Sequence, residues 1–305
     1  MRYRPMSRNI TTYAMSGDNE RLGFAIRDES RVTRTEQPHR HEFFQMRLDI
    51  AGETSHAIGA RRRQIRPGSL TFVLPYRMHR GGRRVDSHFY VINFHHRFLR
   101  PELNLDPLCL DAPPLQRAPE LAPFLFQDFL DFEIAGSDLV CAQQACREML
   151  DHSARRRFFS VEIIRANLLQ LIGIACTRYE RDLLRLAAAG AYRSSHNDAL
   201  GAVVRHISAR LGERISLPDV AQTVGLSPNS VTRLLKQHTG KTFMQLLTER
   251  RLGKAQELLA NTGLRVAEIG EAVGFEDNAY FARRFKQAFR VSPRAYRASV
   301  AARGD

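Results

Sequence analysis

The chain has 305 residues, 43% hydrophobic and 26% charged, which allows about two domains with cores of their own and argues against wholesale disorder. No run reaches the ~18 apolar residues that span a bilayer, and the opening MRYRPMSRNITTY lacks the apolar core of a secretory signal. A cytoplasmic, nucleoid-associated protein with no membrane partner is expected. The excess of 46 Lys+Arg over 32 Asp+Glu gives a net charge of +14 and a pI near 10.3. That balance favours a polyanionic partner, nucleic acid first, with an acidic protein or a membrane surface left open by composition alone.

From Gly23 to about Phe98 short apolar runs alternate with turn signals: FFQMRLDIAG, TSHAIGARRRQIRPGS, LTFVLPYRMH and HFYVINF. Their alternation and β-branched or aromatic content predict strands of a small barrel or sandwich. Arg61, Arg62 and Arg63 are read as an exposed loop between two of them. The Pro-rich PELNLDPLCLDAPPLQRAP is expected to cross the surface as an irregular connection. Beyond Pro119 the period becomes helical over Leu121–Phe132, Leu139–Leu150 and a long Val161–Leu186. The last carries a wide apolar face, for which pairing with a second copy is the favoured reading and burial in its own domain the alternative. Cys109, Cys141, Cys146 and Cys176 lack CxxC spacing and read as small buried residues. The polar AAAGAYRSSHND is expected to hold an interdomain linker, so the domains are placed at 1–110, 111–190 and 199–305, with the linker at 191–198.

From Ala199 onward everything reads helical, and the sequence repeats itself after about fifty residues: LPDVAQTVGLSPNSVTRLLK lies over VAEIGEAVGFEDNAYFARRFK. Each copy has what a helix-turn-helix needs. Ala221 and Gly270 are small residues where a second helix can cross, Gly225 and Gly274 supply a turn with positive φ, and Ser227 and Asp277 are N-caps. Val231, Leu234 and Leu235 are expected to face inward in the first copy, as are Tyr280, Phe281 and Phe285 in the second. The outward, DNA-contacting face is then Asn229, Thr232, Arg233 and Lys236, and in the second copy Asn278, Ala279, Ala282, Arg283 and Lys286. Asn and Arg suit bidentate contacts with adenine and guanine, and the lysines a turn further on suit phosphates. Phe243 to Leu259 is an amphipathic helix able to hold the copies at the ~34 Å spacing of successive major grooves, with Arg250, Arg251 and Lys254 available for the backbone between.

On these residues, above all GFEDNAYFARRFKQAFRVSPRAYR, the C-terminal hundred or so positions closely resemble the AraC/XylS family of bacterial transcription regulators. One departure is Arg290, standing where the family usually has Gly at a helix end. The N-terminal PHRHEFFQM, the glycines of IAGETSHAIGA, RPGS and LPYRMH resemble the cupin-type effector domain of the family's sugar regulators. The resemblance implies an α+β multidomain fold: a cupin-like barrel with dimerisation helices, then an all-α domain with two helix-turn-helix units. It implies a homodimer on double-stranded promoter or operator DNA, a small-molecule effector, and contact with RNA polymerase as an activator.

His39, His41, Gln45 and His79 fall at spacings similar to the metal set of cupin enzymes. Gln45 stands at the carboxylate position, and a neutral amide is a poor ligand for a divalent ion. These four are therefore expected to line the mouth of an effector pocket or to be ordinary strand residues satisfied by their neighbours, with no metal, cofactor or catalytic residue. No nucleophile elbow, phosphate-cradling loop or carboxylate pair points to an enzyme. The alternatives are a constitutive regulator whose barrel only pairs subunits, and a metal-dependent cupin enzyme fused to a DNA-binding module.

Overall fold

The computed structural model describes residues 10–301 apart from 16–18, 20–21, 32–36, 60, 82–86, 104–107, 109–114, 116 and 191–197. The chain divides into two compact units, Met1–Asp198 and Ala199–Asp305. Residues 191–197 of the expected linker, Cys109 and the expected boundary at 110 lie outside the described residues.

In the first unit the described strands are, in chain order, β1 (Thr11–Tyr13), β2 (Phe24–Asp28), β3 (His39–His41), β4 (Phe44–Ala51), β5 (Thr54–Ile58), β6 (Arg61–Ile65), β7 (Ser69–Val73), β8 (His79–Gly81), β9 (His88–Phe94) and β10 (Phe132–Glu133). They make two five-stranded sheets, ordered β1-β3-β8-β5-β6 and β10-β7-β4-β9-β2, antiparallel except for β1 beside β3. Among the described residues five α-helices accompany them: α1 (His96–Leu99), α2 (Ala122–Phe126), α3 (Ser137–Ala154), α4 (Ser160–Arg178) and α5 (Glu180–Ala188).

Period-two alternation in the second sheet sorts its side chains into two buried populations. Phe44, Met46 and Leu48 of β4 join Leu70 and Phe72 of β7 and Tyr90, Ile92 and Phe94 of β9 in one apolar core with residues of α2, α3 and α4. Of the intervening positions, which point the other way, Gln45, Arg47, Asp49, Thr71 and Asn93 are polar, beside the apolar Val73, Phe89 and Val91. The hydrophobic core of this unit therefore lies between one sheet and its helices.

Four sequence expectations are corrected here. Arg61–Arg63 is no loop: it opens β6, paired with Ala57 and Ile58 of β5, and Arg63 is buried. The helix expected over Leu121–Phe132 shortens to Ala122–Phe126, and Phe132 enters a strand against Leu70. The long helix breaks at Tyr179, which leaves helical geometry at φ −108° and ψ 16°. Its ring packs on Phe132 at 4.9 Å, and its hydroxyl accepts the Glu133 amide at 2.8 Å, so tertiary contacts outweigh one turn of helix. Cys141 is exposed, while Cys146 is buried as expected. The apolar face of α4 is spent at home, with Ile164, Leu168, Leu171, Ile172 and Ala175 all buried in the core. By length and composition α4 would also suffice to cross a membrane, a property that buried core helices share.

The second unit contains α6 (Asp198–Ala209), α7 (Leu217–Thr223), α8 (Pro228–Thr239), α9 (Phe243–Asn261), α10 (Val266–Ala272), α11 (Asn278–Phe289) and α12 (Pro293–Ala301). Local chemistry starts most of them. Ser216 and Asp219 form a capping box for α7, as do Thr242 and Gln245 for α9. The Ser227 hydroxyl accepts the Ser230 amide at 3.1 Å, and the Asp277 carboxylate accepts the Ala279 amide at 2.7 Å.

Candidate nucleic-acid interface and effector site

The two helix pairs, α7–α8 and α10–α11, are built alike. Gly225 and Gly274 hold φ of +67° and +92° in their turns. Leu226 N–H donates to Ala221 at 2.9 Å, and Phe275 N–H to Gly270, also at 2.9 Å. Gly270 lies so close beneath α11 that a Cβ there would meet Asn278 Oδ1 at 2.7 Å and the Phe281 ring at 3.0 Å. Ala221, at the matching place under α8, is buried. A small residue at the crossing is thus a steric requirement in the second copy.

Buried residues fix the rotation of each second helix. Val231 and Leu235 of α8, and Phe281 and Phe285 of α11, are fully buried four residues apart, and Phe281 and Phe285 share a core with Ile269 of α10 and Val273 just after it. Asn229, Thr232, Arg233 and Lys236 are consequently exposed on α8, as are Asn278, Ala279, Arg283 and Lys286 on α11. Ala282 is half-buried, and the Asn278 carbonyl oxygen leans over Gly270. Tyr280 departs from expectation: it is 38% exposed, with the Arg283 guanidinium 5.4 Å from its ring centre. Tyr280 sits one residue, about 100° of helix, before Phe281. With Phe281 and Phe285 occupying the inner stripe, Tyr280 is left on the outer flank.

Arg251 on α9 is a structural residue. Its guanidinium donates to the Leu211 carbonyl at 2.9 Å and the Glu213 carbonyl at 2.7 Å, pinning the loop before α7. Lys254 pairs with Glu257 at 3.1 Å. Both helices end alike: Gly240 after α8 has φ +76°, and Arg290 after α11 has φ +64°, each donating its N–H back to the lysine four residues earlier. The replacement of the usual Gly by Arg290 leaves a non-glycine residue in the left-handed region.

In the first unit His39, His41 and His79 come together, with ring centres 4.2 Å apart for His39 and His79 and 4.7 Å for His41 and His79. His56 on β5, which the sequence reading left out, completes the group at 5.5 Å from His79. The alternation of TSHAI, with His56 and Ile58 buried and Ser55 and Ala57 less so, is the signal that could have found it. Burial pushes His41 and His56 down to about 3 and His79 well below its ordinary value, so all three are neutral at pH 7. Gln45 donates to Asn93 Oδ1 at 3.0 Å, a bond within the second sheet. Beside the histidines lies a fully buried Arg47–Asp49 ion pair, with the Arg47 guanidinium 4.0 Å from the Phe89 ring centre. Among the described residues no group of three or more His, Cys, Asp and Glu is arranged to hold a metal ion.

Comparison with known proteins divides at the same place. A family model described as an AraC-like ligand binding domain matches residues 23–152, and one described as a helix-turn-helix domain matches residues 220–299. The regulatory protein PocR of Salmonella typhimurium is 33% identical over 105 residues, 34% of this chain and 35% of that protein. Alignment with PocR thus spans about a third of that relative's length. The HTH-type transcriptional activator RhaR of Mannheimia succiniciproducens is 26% identical over 284 residues, 90% of this chain and 94% of that protein. The arabinose operon regulatory protein of Escherichia coli is 35% identical over 95 residues, 31% of this chain and 32% of that protein. A solved AraC-type regulator from Chromobacterium violaceum is 33% identical over 34% of this chain and 93% of that chain, with a TM-score of 0.33. The two family models between them take in both units, and the chain belongs to the AraC family of DNA-binding transcriptional regulators.

Proposed function

We propose that this protein is a transcription activator that lays α8 and α11 into successive major grooves of promoter DNA and answers to a small molecule held in its N-terminal unit. The observation that carries the DNA reading is the matched rotation of α8 and α11. In each helix the apolar stripe is buried, and Arg233 with Lys236, or Arg283 with Lys286, stands on the exposed face. On α8, Asn229, Thr232 and Arg233 supply base-reading donors and acceptors. On α11, Ala279 and Ala282 offer methyl groups suited to the thymine methyl, and Arg283 a guanidinium. Lys236 and Lys286 neutralise phosphates and set the salt dependence.

Activation by contact with RNA polymerase is carried over from the relative named as an activator, in a cytoplasmic setting. A small-molecule effector is assigned to the first unit because its inner face gathers His39, His41, His56 and His79 beside Gln45. A second subunit would meet this one through apolar side chains left outside the helical layer, Val140, Phe158, Phe159 and Leu184, and not through the buried face of α4. Sedimentation of the full chain beside Leu184→Glu tests that pairing, and a monomer at every concentration rejects it. For the whole reading the decisive experiment is footprinting on the neighbouring promoter with the wild type, Arg233→Ala and Arg283→Ala. Protection of two adjacent major-groove segments, each weakened by its own variant, is expected. Unchanged protection by both variants would sink it.

A further inference from the structure

The inner face of the first sheet carries a polar stripe that DNA binding does not use. Strands β3, β8, β5 and β6 are neighbours in that order. Their register sets His39 opposite His79, Ile58 opposite His79, and His56 opposite Arg63. His39 and His41, then His79, His56 and Arg63, thus share one face of adjacent strands, with the buried Ile58 as the direct β5 neighbour of His79 and His56 two residues before it. From His79 to Arg63 is two strand spacings across and two residues along, about 12 Å between Cα positions, the reach of a small organic molecule of several carbons hydrogen-bonded at both ends.

The atoms along this stripe have specific needs. His39, His41 and His79 donate their Nδ1–H groups to the carbonyls of Gln37 (3.0 Å), Phe43 (2.7 Å) and Arg77 (3.2 Å). Each Nε2 is then a lone-pair acceptor. Among the described residues, His41 Nε2 and His56 Nδ1 are buried with no partner. At the other end Arg63 commits Nε to Asp131 and Nη2 to the Gln127 carbonyl, while Nη1 is buried with no partner among the described residues. Its carboxylate partner Asp131 is 55% exposed, in contrast to the fully buried Asp49 that neutralises Arg47. Inside the unit, therefore, Arg63 keeps one free donor beside its ion pair with Asp131, His41 presents an acceptor, and His56 Nδ1 can serve as either.

An apolar effector would leave all three orphan atoms unpaired, and a simple carboxylate, which has no donor, would leave His41 Nε2 unpaired. A neutral sugar supplies donors to the imidazoles but meets Arg63 Nη1 with a hydroxyl oxygen, a weaker acceptor for a guanidinium than a carboxylate. Resting on the effector reading above, we propose that the stripe binds a small hydroxycarboxylic acid. Its carboxylate lies on Arg63 Nη1, and its hydroxyls donate to His41, His56 and His79.

The test uses the full-length protein, thermal unfolding and calorimetry, with a panel of glycolate, malate, tartrate, gluconate and galacturonate. Glucose and galactose serve as neutral controls, and hexanoate and adipate as acids without hydroxyls. The expected result is binding and a raised melting temperature for at least one hydroxy acid, at least tenfold tighter than for its controls. Arg63→Met should weaken that acid at least tenfold while ligand-free operator affinity stays within twofold. Should Arg63→Met fail to fold, His56→Phe gives the same reading, and nitrogen-15 shifts of the imidazoles on adding the acid give it in the wild type. No binding across the panel, equal binding of a control, or full affinity in Arg63→Met or His56→Phe overturns the proposal. Operator binding without acid binding removes this inference alone. Acid binding without operator binding removes the regulator reading and leaves the site standing.

Discussion

Replacing Arg290 by glycine should stabilise the DNA-binding unit. Arg290 follows α11 with φ +64° and ψ 0°, and its amide donates to the Lys286 carbonyl at 2.9 Å. For a residue with a Cβ the left-handed conformation costs about 1–2 kcal/mol. Glycine removes that cost but gains freedom in the unfolded chain, which gives back roughly 0.4–1 kcal/mol. The net gain is about 0.5–1 kcal/mol, or roughly 3–6 °C in melting temperature for a domain near a hundred residues. Gly240 provides the converse: it caps α8 at φ +76°, with its amide 3.0 Å from the Lys236 carbonyl. Gly240→Ala should lose about 1 kcal/mol. Differential scanning of the full chain would read both, the relevant transition being the one that specific duplex DNA raises. Arg290→Ala, which drops the charge but keeps the Cβ, should leave that transition nearly where it is. If Arg290→Ala gained as much as Arg290→Gly, the strain argument would be refuted in favour of charge.

The turn glycines should respond unequally. At Gly274 an added Cβ meets the Leu211 carbonyl at 2.5 Å on top of a φ of +92°, whereas at Gly225 nothing lies within 4 Å. Gly225→Ala should cost about 1 kcal/mol and Gly274→Ala clearly more, measured by urea midpoints; equal losses would mean the Leu211 loop yields freely. Arg233→Ala should weaken operator binding by about 1–3 kcal/mol and relax preference at one base, whereas Lys236→Ala should weaken all sequences alike and lower the salt slope by about one. Binding titrations against single-base operator variants at several salt concentrations separate the two. The N-terminal unit should lose stability in acid. His41 and His56 titrate near 3 when folded because burial excludes the charged ring, and near 6.5 when unfolded. Between those values the unfolded chain holds more protons, so the stabilisation is complete above pH 6.5 and falls as pH drops. Each histidine contributes about 1.4 kcal/mol per pH unit well below 6.5, roughly 2.7 for the two. Denaturant midpoints at pH 7, 6 and 5 give the slope, and a flat profile would mean the rings are hydrated.

Much of this protein is set by short-range pattern. The N-caps Ser227 and Asp277, the turn glycines, and the apolar pairs Val231 with Leu235 and Phe281 with Phe285 act within one or two helical turns. Sequence spacing alone therefore places the helices of the C-terminal unit and turns Arg233 and Arg283 outward. Alternation likewise places most strands of the first unit, because a half-buried strand repeats every second residue. What sequence could not decide depends on partners far along the chain. Tyr179 breaks its helix because Phe132 and Glu133 arrive beside it. Arg63 is buried because Gln127 and Asp131 take its guanidinium. Arg251 leaves the candidate DNA-contact set because the carbonyls of Leu211 and Glu213 claim it. The grouping of His56 with His39, His41 and His79 follows from the order of strands in a sheet, and strand order is written in no single segment. Local geometry is carried by neighbours in sequence; the chemistry of the inner stripe exists only once distant strands have met.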